Sequence, residues 1–180
     1  MSYCKYCLQL PEDNHHRIYH DTMYGFPIFD DNELFGRLIL EINQAGLSWD
    51  IILKKQASFR KAYNNFDIKE VSLFTEDDRE RLLNDAGIVR NKLKVNAAIY
   101  NANEILKIQA EHGSFKKWLD DQQLQTKQEW VKLFKKRFKF TGGEIVNEFL
   151  MSTGYLKGAH EENCIIFDRI LDNKPKWLEL

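Results

Sequence analysis

Two cysteines and two histidines stand near opposite ends of this chain: Cys4 and His20 near the start, His160 and Cys164 near the finish. Thiolate and imidazole are the donors that tetrahedral zinc favours, and four of them fill its coordination shell. A filled shell leaves no position for an activated water. Such a Zn2+ ion would be structural, a staple between the two ends of the chain, and any reaction would belong to other residues. The interval His160-x3-Cys164 predicts two donors on one face of a helical turn. Scattered donors acquire this meaning only when a fold unites them; otherwise the thiols are reduced and metal-free and the histidines are surface residues. Cys7 forms Cys-x2-Cys with Cys4 and competes as a donor, and His15 and His16 are alternatives to His20.

The second group that invites chemistry is Glu41, followed by Gln44-Ala45-Gly46-Leu47-Ser48-Trp49. Leu34, Leu38, Glu41 and Ala45 fall on one helical stripe, so Glu41 points where apolar side chains point. A bare carboxylate there costs several kcal/mol or more, so it must be paired, protonated or open to a cavity. Trp49 brings a π-face close, and Tyr19 and Tyr24 flank His20 with two more. The plain alternative is a salt bridge from Glu41 to Arg17 or Arg37, with the aromatics serving as core. A third candidate is Leu82–Lys92, two helices joined by a short turn around Gly87. The backbone N–H groups of such a turn can take a phosphate oxygen, with Arg90 and Lys92 beside them, although an ordinary glycine-capped hairpin has the same pattern. The stretch from Lys132 to Phe140 mixes cations with rings and reads first as a solvated helix face, or as a strip lying along phosphates.

The elements that must position these residues are helical throughout. One helix is predicted over Asp31–Gln44 and a second after Ser48 as N-cap, carrying Ile52, Gln56, Phe59 and Tyr63. Thr75 with Asp78 opens a short helix through Leu83. A long helix runs from Asn91 to a Gly113 stop through Leu93, Ala97, Ala98, Ala102 and Ile105. Ser114 caps another. Thr126 and Glu129 form a capping box for a helix to Phe138, and Thr141-Gly142-Gly143 turns into a helix over Glu144–Thr153, ended by Gly154. No strand alternation and no repeat emerges, and only Gln122–Gln128 resembles a linker. The reading is an all-α domain over 1–180, two packed lobes with a tail from Ile165 to Leu180 that docks on the body or joins copies.

Composition narrows the setting. A 43% hydrophobic content over 180 residues is ample for a core. Three cysteines make no even disulfide framework, and no leader or spanning segment is evident, so the expected compartment is the cytoplasm. A net charge of −1 offers no global pull on nucleic acid, which leaves local basic faces or oriented amides.

Taken in order, Cys4, Tyr19-His20-Asp21, Gly25, Pro27, Glu41 with Gln-Ala-Gly-Leu-Ser-Trp, Asp85-Ala86-Gly87-Ile88 with Arg90, Phe138-Lys139-Phe140 with Gly142, and His160-x3-Cys164 resemble the bacterial 3-methyladenine DNA glycosylase I family. These enzymes are a zinc-stapled branch of the helix-hairpin-helix glycosylases. The resemblance covers about residues 1 to 164. It implies a monofunctional glycosylase that flips an alkylated adenine from duplex DNA and hydrolyses its N-glycosidic bond, with duplex DNA containing alkylated purines as its partner and no obligate protein partner. By this resemblance Glu41 reads the edge of the base, Tyr19 and Trp49 stack on or orient it, and Tyr6 and Tyr24 close further walls. Gly87, Ile88 and Arg90 meet phosphate; Cys4, His20, His160 and Cys164 hold zinc. The chain departs from the family pattern at Tyr6, where tryptophan is usual, and at Met23-Tyr24 and Gly143-Glu144. The departures keep open a lesion-binding relative without catalysis, or one with altered specificity.

Overall fold

The computed structural model describes residues 1–124 and 126–179; Gln125, in the expected linker, and Leu180, at the end of the tail, lie outside the described residues. Eleven α-helices and no strand occur among the described residues. In order they are α1 Tyr3–Cys7, α2 His15–Thr22, α3 Asp31–Gln44, α4 Trp49–Ala62, α5 Ile68–Ser72, α6 Glu76–Asn84, α7 Lys92–His112, α8 Phe115–Asp120, α9 Lys127–Arg137, α10 Gly143–Ser152 and α11 Phe167–Asp172. Several predicted caps are present as hydrogen bonds: Thr75 with Asp78 and Thr126 with Glu129 close reciprocal boxes, and Ser114 accepts from the Lys117 amide, whereas Ser48 stands at its N-cap position without a side-chain bond. Two further caps lie outside those expected: Asp30 accepts from the Glu33 amide and Asn91 from those of Leu93 and Lys94.

Helix α3 is the centre of the molecule. Every residue from Leu34 to Asn43 is buried, so the helix is covered around its whole circumference rather than along one stripe. It is covered because α4, α7, α8 and α10 all pack against it. Close packing also explains Gly36, where a Cβ would meet Cδ2, Cγ and Cε2 of the Phe66 ring, the farthest of the three only 3.0 Å away. In α7 the core places fall to Val95, Ala98, Ala102, Ile105 and Ile108, whereas Leu93, read as part of that stripe, is 68% exposed in the first turn. Rings from α8, α9 and α10 (Phe115, Trp118, Trp130, Phe134 and Phe149) fill the other side of the core, with centroids about 6 Å apart.

A smaller apolar cluster joins the two ends of the chain. Cys4 and Cys164 are buried with Ile166 and Ile170, and Phe26, Phe167 and Trp177 pack on them. The tail therefore docks on the body, with the Trp177 amide donating to the Gly154 carbonyl at 3.3 Å. His160 and Cys164, expected on a helical turn, lie instead in a chain of turns before α11, where the Cys164 amide donates to the Glu161 carbonyl. The segment Ala-His-Glu-Glu-Asn-Cys has no apolar stripe to bury, so nothing favours a helix there.

Replacing Gly36 with alanine improves local helix propensity by about 1 kcal/mol but forces a methyl into the Phe66 ring, an overpacking cost of about 1–3 kcal/mol. Urea unfolding should show Gly36→Ala less stable than wild type, against the propensity trend.

Candidate active site

The string after Glu41 is a device for turning the chain. Leu47 donates its amide to the Gln44 carbonyl at 2.7 Å, and the Gln44 side chain returns a bond to the Leu47 carbonyl at 3.0 Å. Gly46 sits at φ 81° with open space around it, so glycine is needed there for conformation rather than for room. The last carbonyls of α3 and of its cap need donor partners, and Lys94 from α7 supplies them: its Nζ donates to Asn43 O at 2.9 Å and Ala45 O at 2.7 Å. Trp49 is thereby delivered as the first residue of α4, facing the last turns of α3.

Beside it opens a hollow of about 430 Å³. Trp49 and Tyr19 form one wall with ring centroids 5.2 Å apart; Tyr24 continues it 5.5 Å from Tyr19, and Tyr3 meets Tyr24 edge-on at 5.6 Å. Gln44 and Glu41 line it from α3, and Glu144 and Glu148 from α10. Tyr6, expected to close a wall, does not line it; Tyr6 is 40% exposed and packs edge-on against His16. Tyr3, three residues earlier and so almost a full turn away on the short helix α1, takes that place, and neither its part nor that of Glu148 is signalled by any sequence pattern.

Glu41 is 4% exposed and makes no ion pair among the described residues. Arg37, one of the two salt-bridge partners in the plain alternative, instead donates Nη1 to the Tyr19 hydroxyl at 3.3 Å and the Ser152 carbonyl at 3.2 Å, and its guanidinium lies 5.1 Å over the Tyr19 ring. Arg17 is bound to Asp21. The contact left to Glu41 is the Ser152 hydroxyl at 3.5 Å. Burial pushes its carboxyl up to about 8, opposed by the Arg37 charge and reinforced by Glu148. Burial thus favours the neutral form of the group in the free protein.

Against the same wall, four donors converge. Cys4, His20, His160 and Cys164 are all buried, and their donor atoms lie within 4.8 Å of one another. Sγ to N separations are 3.7 Å for Cys4 and His160, 3.5 Å for His160 and Cys164, and 3.6 Å for Cys164 and His20. With Zn–S bonds of about 2.3 Å and Zn–N bonds of about 2.0–2.1 Å, tetrahedral angles separate sulfur and nitrogen by about 3.5–3.6 Å. The outer nitrogens are also anchored. His20 Nδ1 donates to Asp21 at 2.6 Å and His160 Nε2 to the Tyr24 carbonyl at 2.9 Å, which turns both lone pairs inward. Burial pushes the His160 imidazole down to about 4, which keeps it neutral, as a ligand must be. The donor set thus fits a tetrahedral metal ion. Cys7 is outside it, with its thiol on the His16 carbonyl, and His15 and His16 gather on Asp50 at 2.7 and 3.4 Å.

At the α6–α7 turn the geometry is more closed than expected. The Gly87 amide donates to the Asp85 carboxylate at 2.7 Å and the Ile88 amide to the Asp85 carbonyl at 3.3 Å; Ile88 is 3% exposed. Arg90 is exposed. In the basic stretch Lys132, Lys135 and Lys136 are solvated, as first read, while Arg137 pairs with Glu111.

The fold is that of solved helical DNA glycosylases. A crystal structure of 3-methyladenine DNA glycosylase I superposes with a TM-score of 0.78 at 32% identity, covering 87% of this chain and 96% of that one. The Staphylococcus aureus structure described for its recognition of 3-methyladenine matches with TM-score 0.78 at 30% identity, over 92% of this chain and 97% of that one. In sequence the chain is 33% identical over 188 residues to DNA-3-methyladenine glycosylase 1 of Escherichia coli (strain K12), spanning 94% of this chain and 98% of the relative. It is 31% identical over 165 residues to DNA-3-methyladenine glycosylase of Haemophilus influenzae, spanning 81% and 89%. The profile of the methyladenine glycosylase family matches residues 9–133, and the chain belongs to that family.

The Glu41 carboxyl titrates higher in the folded chain than its ordinary 4.5. Its contribution to stability is complete below about pH 4.5 and is lost as pH rises through about 8, by at most about 1.4 kcal/mol per unit. Glu41→Gln should remove this component, so urea midpoints of variant and wild type should diverge across that window, with the variant the more stable at its alkaline end.

Proposed function

We infer that the protein is a DNA-repair glycosylase that hydrolyses the N-glycosidic bond of 3-methylated adenine everted from duplex DNA, leaving an abasic site. The observation that carries the reading is the hollow itself, where the rings of Tyr19, Trp49 and Tyr24 surround a buried carboxyl without an ion-pair partner. An adenine alkylated at N3 is positively charged and leaves as a neutral base, so the enzyme need not donate a proton to it. What remains is to extract the base, hold it and expose the sugar to water. Stacking on an aromatic contributes about 1–3 kcal/mol, comparable to the few kcal/mol spent in flipping a weakened base. Cation–π attraction adds about 0.5–2 kcal/mol for a charged ring and little for normal adenine.

In this reading Tyr19 and Trp49 stack on or orient the base, Tyr24 closes a wall, and Glu41 binds its edge. Entry of a cation favours the carboxylate form of Glu41, so binding is coupled to loss of its proton. Arg37 positions Tyr19 through the phenol oxygen. The lining of the hollow includes no lysine, and Lys94 has its nitrogen committed to two carbonyls, which supports hydrolysis by water alone rather than through a covalent imine. The helix-hairpin-helix contact to phosphate is assigned to the turn at Gly87, Ile88 and Arg90, with Ile88 anchoring the turn in the core and Arg90 supplying charge.

The donor cluster is assigned to a structural zinc ion held by Cys4, His20, His160 and Cys164. Bound there, it would deprotonate the thiols and fasten α1 and α2 to the segment before α11, without a part in the chemistry. No helix among the described residues is long and apolar enough to cross a membrane. We place the enzyme in the cytoplasm, where its three unpaired cysteines stay reduced, and assign it no obligate protein partner.

Incubation with methylated duplex DNA should release 3-methyladenine, and Glu41→Gln should slow release by about a hundredfold or more. Absence of release, with wild type and variant alike, sinks the repair reading and leaves a lesion-binding relative. Elemental analysis should find one zinc per chain, lost with a fall in melting temperature in Cys164→Ser; a metal-free, equally stable wild type removes the staple.

A further inference from the structure

Glu148 lies one turn beyond Glu144 on α10, and both line the hollow. Their surroundings differ. Glu144 is exposed at the mouth and pairs with Lys127 at 2.6 Å, which uses the nearby cation. Glu148 is half-buried and forms no ion pair among the described residues; its Oε2 accepts a bond from the Tyr24 hydroxyl at 3.3 Å. The phenol thus supplies a hydrogen bond without charge and holds the carboxylate at the aromatic wall. Two carboxyls without a cationic partner, Glu41 from α3 and Glu148 from α10, therefore face one hollow. Side chains in such a place repel each other and resist ionisation unless a positive charge enters between them.

We propose that Glu148 is a specificity-determining residue, a second carboxylate that with Glu41 makes the hollow prefer a purine bearing a formal positive charge over a neutral purine of the same shape. The proposal rests on the base-excision reading and deepens it. Rings alone accept any flat base, and one carboxyl that can be protonated serves a neutral amino edge as well as a charged one. A second carboxylate adds an interaction that only a cation repays. Burial raises the Glu148 carboxyl from its ordinary value, the Tyr24 hydroxyl opposes that shift, and Glu144 and Lys127 act on it with opposite signs.

The test uses the full chain and two free bases at about pH 8: the permanently charged N3,N9-dimethyladeninium ion and neutral 3-methyladenine, with binding followed by tryptophan fluorescence. Wild type should prefer the cation. Glu148→Gln should weaken the cation by about tenfold while changing the neutral base by less than about twofold, and Glu148→Asp should keep most of the preference. Equal weakening of both bases, or none, overturns the proposal, and unfolding curves of the variants identify any loss due to folding. Release of 3-methyladenine from methylated duplex by wild type is measured in parallel. If release is normal and the cation preference of Glu148→Gln is unchanged, the proposal fails and the repair reading stands. If wild type releases no base, both fall.

Discussion

A helix buried around its whole circumference can carry an ionisable side chain only where that side chain finds a partner or a hollow, and the buried stretch of α3, Leu34 to Asn43, carries two, Arg37 and Glu41. They are one turn apart on the same helix and solve the problem in opposite ways. Arg37 is satisfied inside the protein, by a phenol and a carbonyl, and in that role fixes the orientation of Tyr19. Glu41 is left with a long contact to one hydroxyl and an opening. The cost of burying it is thus offset only in part inside the protein, by that hydroxyl and by the Arg37 charge. The hollow, its rings and the selectivity proposed for it all follow from that one unsettled carboxyl.

The donor cluster serves the same end from behind. Tyr19 and His20 are successive residues of α2, so the helix sends one side chain into the hollow and its neighbour into the cluster. His160 donates to the carbonyl of Tyr24, another lining residue. A metal ion there would make the two ends of the chain one body and thereby stiffen the aromatic wall. Since α1 has five residues and α11 six, neither would hold its place by helix propensity alone.

Much of the scaffold was legible because its signals are local. Caps at Thr75, Ser114 and Thr126 are hydrogen bonds between residues three apart, and the structure has them where the sequence implied them. Glu41 was conspicuous as a charge on an apolar stripe, and the Gln-Ala-Gly-Leu-Ser-Trp string as a turn with a fixed need for glycine. The tail was legible only as apolar. Its docking depends on Trp177 reaching Gly154 and on Ile170 joining Cys4, contacts between residues far apart in sequence.

Sequence by itself determined the all-helical class, the ends of the main helices and the misplaced carboxyl, since each depends on residue type and short spacing. The choice of four donors from seven cysteines and histidines near the chain ends needed the family resemblance and then the fold that gathers them. Tertiary structure alone decided which tyrosine stands beside the hollow, Tyr3 rather than Tyr6, and that Arg37 serves Tyr19 rather than Glu41. It also decided that Glu148, an unremarkable polar position on α10, faces the same space, and that His160 and Cys164 converge through turns instead of a helix. These are matters of direction across packed elements, and direction is set by how α1, α3 and α10 lie against one another, which no run of neighbouring residues encodes.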